Sequence, residues 1–403
     1  GEAERIYPYP LLAPVTGHWT LLYGKSGLER SFDDFLNGRR GQQGLDAFDE
    51  IMHETVVGAD VVTTIQPRLQ VAADQLLGDR AGAIIVMDPE SGAILALASR
   101  PTYDPNTYTE NAEEIVDHPN QPLLNRVTQG LYTPGSVFKV VTLAGVLAQE
   151  TVGPDELFPM IPYDEPGVFF VEGFPIREGS TLAVENAPFD LPHALAYSSN
   201  VAFAQLALEL GPDGLREIAR AFGFGEEPPL NGLPTEASRL GTDAFLLDQV
   251  GLANTGYGQG QLLVTPLQMA LVTAAVANEG TVPEPRLVQE IRSREGDTLL
   301  TYRPRPWRRA ISEDVAEQVK EAMVVAATDG FARAGKPEGI TIGGKTGTAQ
   351  LGGLVEPHAW FVAFAPAEEP EIVVAVLVEN AGAGGDVAAP IARELIQIAL
   401  VGE

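Results

Sequence analysis

The sequence predicts an α+β fold, in which strands near both ends of the chain close one antiparallel sheet and helices fill the middle. Three observations carry this expectation. Two apolar runs flank a turn in "AIIVMDPESGAILALAS", a long stretch with helical spacing follows, and strands return in "GITIGGKTGTAQ", "HAWFVAFAP" and "EIVVAVLVEN" before a last helix.

Residues 1–58 are rich in aromatics and glycine, with a short helical pattern at 28–36, and read as an appendage rather than as core. "DVVTTI" (60–65) is β-branched and reads as a strand, and Pro67, whose φ is already helical, opens a helix to about residue 77. Asp88-Pro89-Glu90-Ser91-Gly92 supplies the turn residues that join the two following apolar runs as a hairpin. Apolar side chains then recur with helical period at 137–147, 201–210, 215–222 and 266–278. Toward the C-terminus, Ile340-Thr341-Ile342 reads as strand leading into Lys345, and the final helix spans about 388–401.

Composition removes several classes of function. Acidic residues outnumber basic ones 55 to 26, and the net charge of −29 is spread along the chain, which leaves no basic footprint for nucleic acid. There is no cysteine, hence no disulfide, thiolate nucleophile or cysteine metal site. His18, His53, His118, His193 and His358 are scattered without metal-ligand spacing, so neither a metal nor another cofactor is expected. No apolar run approaches the length of about 18 residues that a membrane helix needs. The opening "GEAERIYPYP" carries no signal peptide, as in a processed protein or one parted from an N-terminal anchor.

Lysine is scarce, with Lys25, Lys139, Lys320, Lys336 and Lys345 the full set, so the one inside the apolar run that follows Pro134 stands out. Ser136 follows Thr-Pro-Gly and falls at the first turn of that helix, where a residue three positions on shares its face, so the Lys139 amine can reach its hydroxyl. A serine is a weak nucleophile unless a base takes its proton, and a lysine can be that base when burial or a neighbouring cation destabilises the ammonium. Alone, the pair also fits a lysine snorkelling out of a buried helix. Ser198 and Asn200 precede the apolar helix "VAFAQLALELG": either Ser198 or Ser199 can cap it, while Ser198 can relay a proton and Asn200 can bind a substrate amide. Lys345 is followed by Thr346, Gly347 and Thr348, a strand edge able to pair with an extended peptide; the glycine leaves room for a ligand backbone, and the cation and hydroxyls suit a carboxylate. Gly339-x-x-x-x-Gly344-Lys345-Thr346 also fits a phosphate loop, but such a loop turns directly into a helix and this segment reads as strand. "GYGQG" (256–260) is an incomplete dinucleotide fingerprint with no strand leading into it.

Ser-x-x-Lys, Ser-x-Asn and Lys-Thr-Gly in this order resemble the penicillin-recognising serine acyl-transferases. "TTIQPRLQ", "TPGSVFKVVT", "SSNVAFAQLA", "GYGQGQLLVTPLQMA" and "HAWFVAFAP" extend the resemblance to class B penicillin-binding proteins over about 60–403, and 7–38 resembles the last part of that family's pedestal, most like the penicillin-binding protein A group. The resemblance implies the penicillin-binding transpeptidase (serine β-lactamase-like) fold, a central five-stranded antiparallel sheet flanked by helices, with a pedestal remnant at 1–58 and the transpeptidase domain at 59–403. It implies that Ser136 is acylated, Lys139 is its base and Ser198 a proton shuttle. Asn200, Lys345, Thr346, Gly347 and Thr348 would bind the donor peptide, and the backbone N–H groups of Ser136 and Thr348 would form the oxyanion hole. The implied reaction is D,D-transpeptidation of peptidoglycan stem peptides ending in D-Ala-D-Ala, with an amine acceptor and with β-lactams as inhibitors. A polytopic membrane glycan polymerase is the implied partner, and the extracytoplasmic face of the bacterial plasma membrane, held by an anchor outside this sequence, the implied location. Two alternatives share the three motifs: a β-lactamase, for which Glu227 in "EPPLN" would activate water, and a β-lactam sensor that signals without turnover. In "FFVEGFPIREGST" the charged residues depart from the strings usual in the family.

Overall fold

Strands β1 (Gly82–Met87) and β2 (Ile94–Arg100) form the expected hairpin around Asp88, whose carboxylate accepts from the backbone N–H groups of Glu90 (2.9 Å) and Ser91 (3.0 Å). The structure, a computed structural model, describes residues 5–40, 57–153, 156–350 and 352–402. A second hairpin, β3 (Val168–Val171) and β4 (Phe174–Arg177), lies within the region read as helical, turned by Glu172 (φ 49°) and Gly173 (φ 84°). Two consecutive positive φ values make the tight hairpin turn whose twist matches its strands. The C-terminal part supplies β5 (Gly343–Ala349), β6 (His358–Ala365) and β7 (Ile372–Val378).

These strands assemble into one five-stranded antiparallel sheet in the order β5-β6-β7-β1-β2, so the earliest and latest strands meet at β7 and β1. Six helices build around it: α1 (Pro67–Leu77), α2 (Lys139–Ala148), α3 (Asn200–Ala221), α4 (Pro266–Ala277), α5 (Glu313–Thr328) and α6 (Gly384–Val401). Every residue of β1, β6 and β7 is buried, because both faces are covered. Ile84 and Val86 pack with Leu69 and Leu77 of α1 and Leu395 and Ile396 of α6. Ile85 and Met87 point the other way, into a larger core with Phe138, Met269 and Val272. Strands sandwiched in this way carry continuous apolar runs instead of alternating ones, as these do.

Several expectations are corrected. The strand at Asp60–Thr63 does not join the main sheet; it pairs with Val288–Arg292, which in turn pairs with Thr298–Thr301. By contrast, the two helices expected at 201–210 and 215–222 are both present, as the two arms of α3 parted at the non-helical Gly211 (φ 70°) before Pro212. β5 begins at Gly343, so Ile340-Thr341-Ile342 lies outside it. α6 starts at Gly384 rather than near 388, its opening glycines having hidden the boundary. The described part of the N-terminal segment is not an appendage: Val15, Leu28 and Phe32 are buried in the larger core, and Asn125 Nδ2 donates to Pro14 O at 2.9 Å. Residues 41–56 of that segment lie outside the described residues.

One ion pair ties the chain leading to Ser136 onto the sheet. Arg126, its side chain 4% exposed, donates from Nε to Glu379 Oε1 (2.7 Å) just past β7, and its other nitrogens donate to Gln121 O (3.1 Å) and Asn120 O (2.6 Å). Tyr132 OH donates to the same Glu379 oxygen (2.9 Å). Removing one member of a buried pair strands the other charge, typically at about 3 kcal/mol or more. Arg126→Met is therefore expected to lower the unfolding free energy by about 3 kcal/mol, read from the midpoint of urea denaturation at unchanged slope.

Candidate active site

Ser136 sits in a single tight turn, Gly135–Phe138, wound as a 3-10 helix that runs straight into α2, not in the first turn of the α-helix itself. Gly135 takes φ 58°, and its N–H donates to Gly258 O at 2.9 Å. A Cβ on Gly258 would lie 1.8 Å from Gly135 O, and one on Gly347 would lie 2.8 Å from Pro134 O. The serine's turn is thus clamped between the 256–260 loop and β5, at a spacing that only glycine permits. Trp360 Nε1 on β6 donates to Thr133 O (3.0 Å) and fixes the approach from below.

α2 carries Lys139 inward, where it is fully buried. Its Nζ donates to Ser198 O (2.6 Å) and Asn200 Oδ1 (2.9 Å) and lies 3.3 Å from Ser198 Oγ. Lys345 arrives from β5, is 1% exposed, and donates to the same Ser198 Oγ at 2.9 Å and to Thr346 O at 3.0 Å. Ser198 itself has φ 56°, a left-handed backbone uncommon for a residue with a side chain. The helix cap proves to be Ser199, whose Oγ accepts from Ala202 N–H at 3.0 Å, which leaves the Ser198 hydroxyl facing the lysines. Asn200 Nδ2 donates to Arg177 O (2.9 Å) at the end of β4.

Two lysines on one hydroxyl cannot both hold a full charge cheaply. Their amines lie within about 6 Å of each other, where two unit charges repel by about 3 kcal/mol even at an effective dielectric of 20. Burial drives the Lys139 amine well below the ordinary lysine value, and the Lys345 charge adds to this, while the Glu178 carboxylate opposes it. Burial lowers Lys345 to about 7. As a neutral amine, Lys139 keeps its two shorter bonds as donor and has a lone pair free to accept a proton. Among the described residues no hydrogen bond joins this amine to Ser136 Oγ: the reach expected from helical spacing is taken up by Ser198 and Asn200.

Thr346 is buried and Thr348 exposed on β5, which among the described residues pairs only with β6 and so presents an open strand edge beside the serine turn. The same strand disposes of the phosphate-loop reading, since Gly344-Lys345-Thr346 lies within β5 and no helix follows directly. Among the described residues no cluster of metal-ligating side chains occurs.

Residues 82–397 match the family described as the penicillin binding protein transpeptidase domain. The chain belongs to that family. It is 37% identical, over 99% of its length and 84% of the relative's, to the peptidoglycan D,D-transpeptidase PbpA of Mycobacterium tuberculosis, and 36% identical, over 98% and 84%, to PbpA of Mycolicibacterium smegmatis. Among solved structures, penicillin-binding protein A of M. tuberculosis in its penicillin G acyl-enzyme complex superposes with a TM-score of 0.88 at 35% identity, covering 98% of this chain and 93% of that one. The D,D-transpeptidase domain of a peptidoglycan glycosyltransferase from Eggerthella lenta gives 0.87 at 31%, covering 99% and 93%.

Two contributors to this penicillin-binding domain's site lie in strings noted in the sequence but had no role assigned there. Gly258 looked like part of a failed nucleotide fingerprint, but it buttresses the Ser136 turn. Glu178 lies just past a hairpin that was not foreseen; the signal for it was Glu172-Gly173 between the short apolar runs 168–171 and 174–177. Glu227 is exposed, and its segment is anchored away through Asn231, whose Oδ1 accepts from the N–H groups of Leu287 (2.7 Å) and Val288 (3.0 Å).

A depressed lysine has a stability consequence of definite sign. Lys345 releases its proton at about 7 when folded but at 10.5 when unfolded, so between those values the unfolded chain binds more protons and stability rises with pH. Its cost is complete below about 7 and is gone above 10.5. Lys345→Met is expected to melt at a higher temperature than wild type at about pH 6, with the gap closing toward about pH 10; thermal unfolding of both proteins across that range checks it.

Proposed function

We propose that this chain is a peptidoglycan D,D-transpeptidase whose nucleophile is Ser136. The observation that carries the reading is the pair of buried lysines sharing Ser198 beside the serine's glycine-clamped turn, in a chain whose relatives carry that enzyme's name. Ser136 Oγ attacks the carbonyl of the penultimate D-Ala in a donor stem peptide, and the neutral Lys139 amine takes its proton. The carbonyl oxygen becomes an anion held by the backbone N–H groups of Ser136 and Thr348, each such donor being worth about 3 kcal/mol. When the C–N bond breaks, Ser198 passes a proton from the lysine pair to the departing D-Ala amine. The ester left on Ser136 is then attacked by the acceptor amine, whose proton returns along the same path, and the cross-link leaves with the serine restored.

Binding follows the strand. The donor lies extended along the open edge of β5, its terminal carboxylate facing Lys345, Thr346 and Thr348, with Gly347 leaving the backbone room and the Asn200 amide meeting the peptide. A β-lactam enters by the same approach and stays on Ser136. In this reading 59–403 is the transpeptidase domain, within which the family match at 82–397 falls, and 1–58 is the end of a pedestal. Because its substrate is cell-wall peptide, the enzyme works on the extracytoplasmic face of the plasma membrane, paired with a membrane glycan polymerase that supplies strands.

Labelled penicillin tests the chemistry. Wild type is expected to form a stable adduct, Ser136→Ala none, and Lys139→Ala to fold normally yet acylate about 100-fold more slowly or worse. Normal acylation of the Lys139 variant would overturn the role given to that lysine, and rapid loss of label from wild type would indicate a β-lactamase. A stem-peptide donor with an amine acceptor is expected to yield cross-linked product detectable by mass spectrometry; its absence from a stably labelled protein would indicate a sensor.

A further inference from the structure

The turn bearing Ser198 and Asn200 is held from outside by one carboxylate. Glu178 Oε1 accepts from Ser199 Oγ (2.5 Å) and from Tyr163 OH (3.1 Å), and Glu178 Oε2 accepts from the Asn200 backbone N–H (2.6 Å). The two residues that follow Ser198 are therefore both fastened to a single side chain, which itself sits at the end of β4. Left-handed backbone at a non-glycine residue costs about 1–3 kcal/mol and persists where the surroundings over-determine it. These bonds supply that constraint at Ser198.

The second observation is one of charge. Besides Lys345 from β5, the charged group that acts on Lys139 is Glu178; from α3 the amine meets two uncharged groups, the Asn200 Oδ1 at 2.9 Å and the Phe203 ring, 5.5 Å to its centroid. The site thus holds two amines and one carboxylate, and the carboxylate lies behind Asn200, one residue removed from the hydrogen bonds that the amines make.

We propose that Glu178 is a positioning residue for acylation, fixing the Ser198 hydroxyl and the Asn200 amide against the two lysine amines and supplying the negative charge that faces Lys139. The proposal rests on the transpeptidase reading above and deepens it. Glu178 is not a water-activating base of the β-lactamase kind, because three donors already occupy its oxygens. Its removal has two separable effects. The turn loses its anchors, which slows acylation at every pH. Lys139 loses the charge that favours its ammonium form, so it becomes a free base at lower pH and the acidic limb of the rate profile moves down.

The experiment follows acylation by labelled penicillin against pH, with melting curves recorded for each protein. Glu178→Gln, isosteric and uncharged, is expected to acylate at least about tenfold more slowly on its plateau and to show its acidic limb at lower pH than wild type. Ser199→Ala keeps the carboxylate and removes one of its donors; it is expected to acylate more slowly with the limb unmoved. A wild-type plateau and limb in Glu178→Gln would overturn the proposal, and a slowed plateau with an unmoved limb would overturn its electrostatic part. Should Glu178→Gln fail to melt cooperatively, Ser199→Ala decides the geometric part, and a wild-type rate there overturns it. Failure of the wild type itself to take label at Ser136 would instead overturn the transpeptidase reading.

Discussion

The hydroxyl of Ser198, held between two buried lysine amines, is the contact on which the rest of the structure depends. Two lysines can be brought together in an apolar interior only if at least one gives up its proton, and a lysine without its proton is a base. The fold enforces this from two directions. α2 delivers Lys139 among Val140, Val141 and Phe203, and β5 delivers Lys345 from the edge of a sheet buried on both faces. Among the described residues neither amine has a carboxylate as a direct partner, since each donates to oxygens of Ser198, Asn200 or Thr346. Chemical readiness here is a product of packing.

Placement of the serine is a separate problem, solved by close approach of backbones. The Gly135–Phe138 turn meets the 256–260 loop on one side and β5 on the other, and Trp360 and Tyr132 bind the preceding chain to β6 and Val264. Consequently the Ser136 turn and the open edge of β5 form one rigid unit. Arg126 and Glu379 extend that unit to the far end of β7.

Much of this was legible in the chain. Four strands of the sheet were evident because a sandwiched strand needs an uninterrupted apolar run, as in "AIIVM" and "IVVAVLV"; β5, "GGKTGTA", has none, and the apolar residues expected to form it lie just before it. Lys139 stood out because a charge is costly within an apolar segment, and Ser136, Ser198, Asn200 and Lys345 because they complete Ser-x-x-Lys, Ser-x-Asn and Lys-Thr-Gly; the structure gathers Lys139, Ser198, Asn200 and Lys345 into one hydrogen-bonded cluster with the Ser136 turn against β5. Short strands at 168–177, 288–292 and 298–301 were hidden because each has one exposed face and few residues, so that periodicity had little to act on. Glu178 and Gly258 were hidden for a different reason. Both lie in strings that attract notice, "GYGQG" and "FFVEGFPIREGST", but their importance lies in what they touch across the fold, which no local pattern encodes.

The glycine clamp also limits how this protein can vary. At Gly135, Gly258 and Gly347 an added methyl would meet a backbone carbonyl at 2.8 Å or less, which no rotamer can relieve. Escape from an inhibitor by reshaping the serine's immediate surroundings is therefore closed to single substitutions at these positions. Change is easier on exposed positions such as Phe170 and Phe174 of the β3–β4 hairpin and Leu354 and Val355 between β5 and β6. Diversity among such enzymes in what they admit should accordingly be concentrated in the borders of the cleft, around a floor that stays the same.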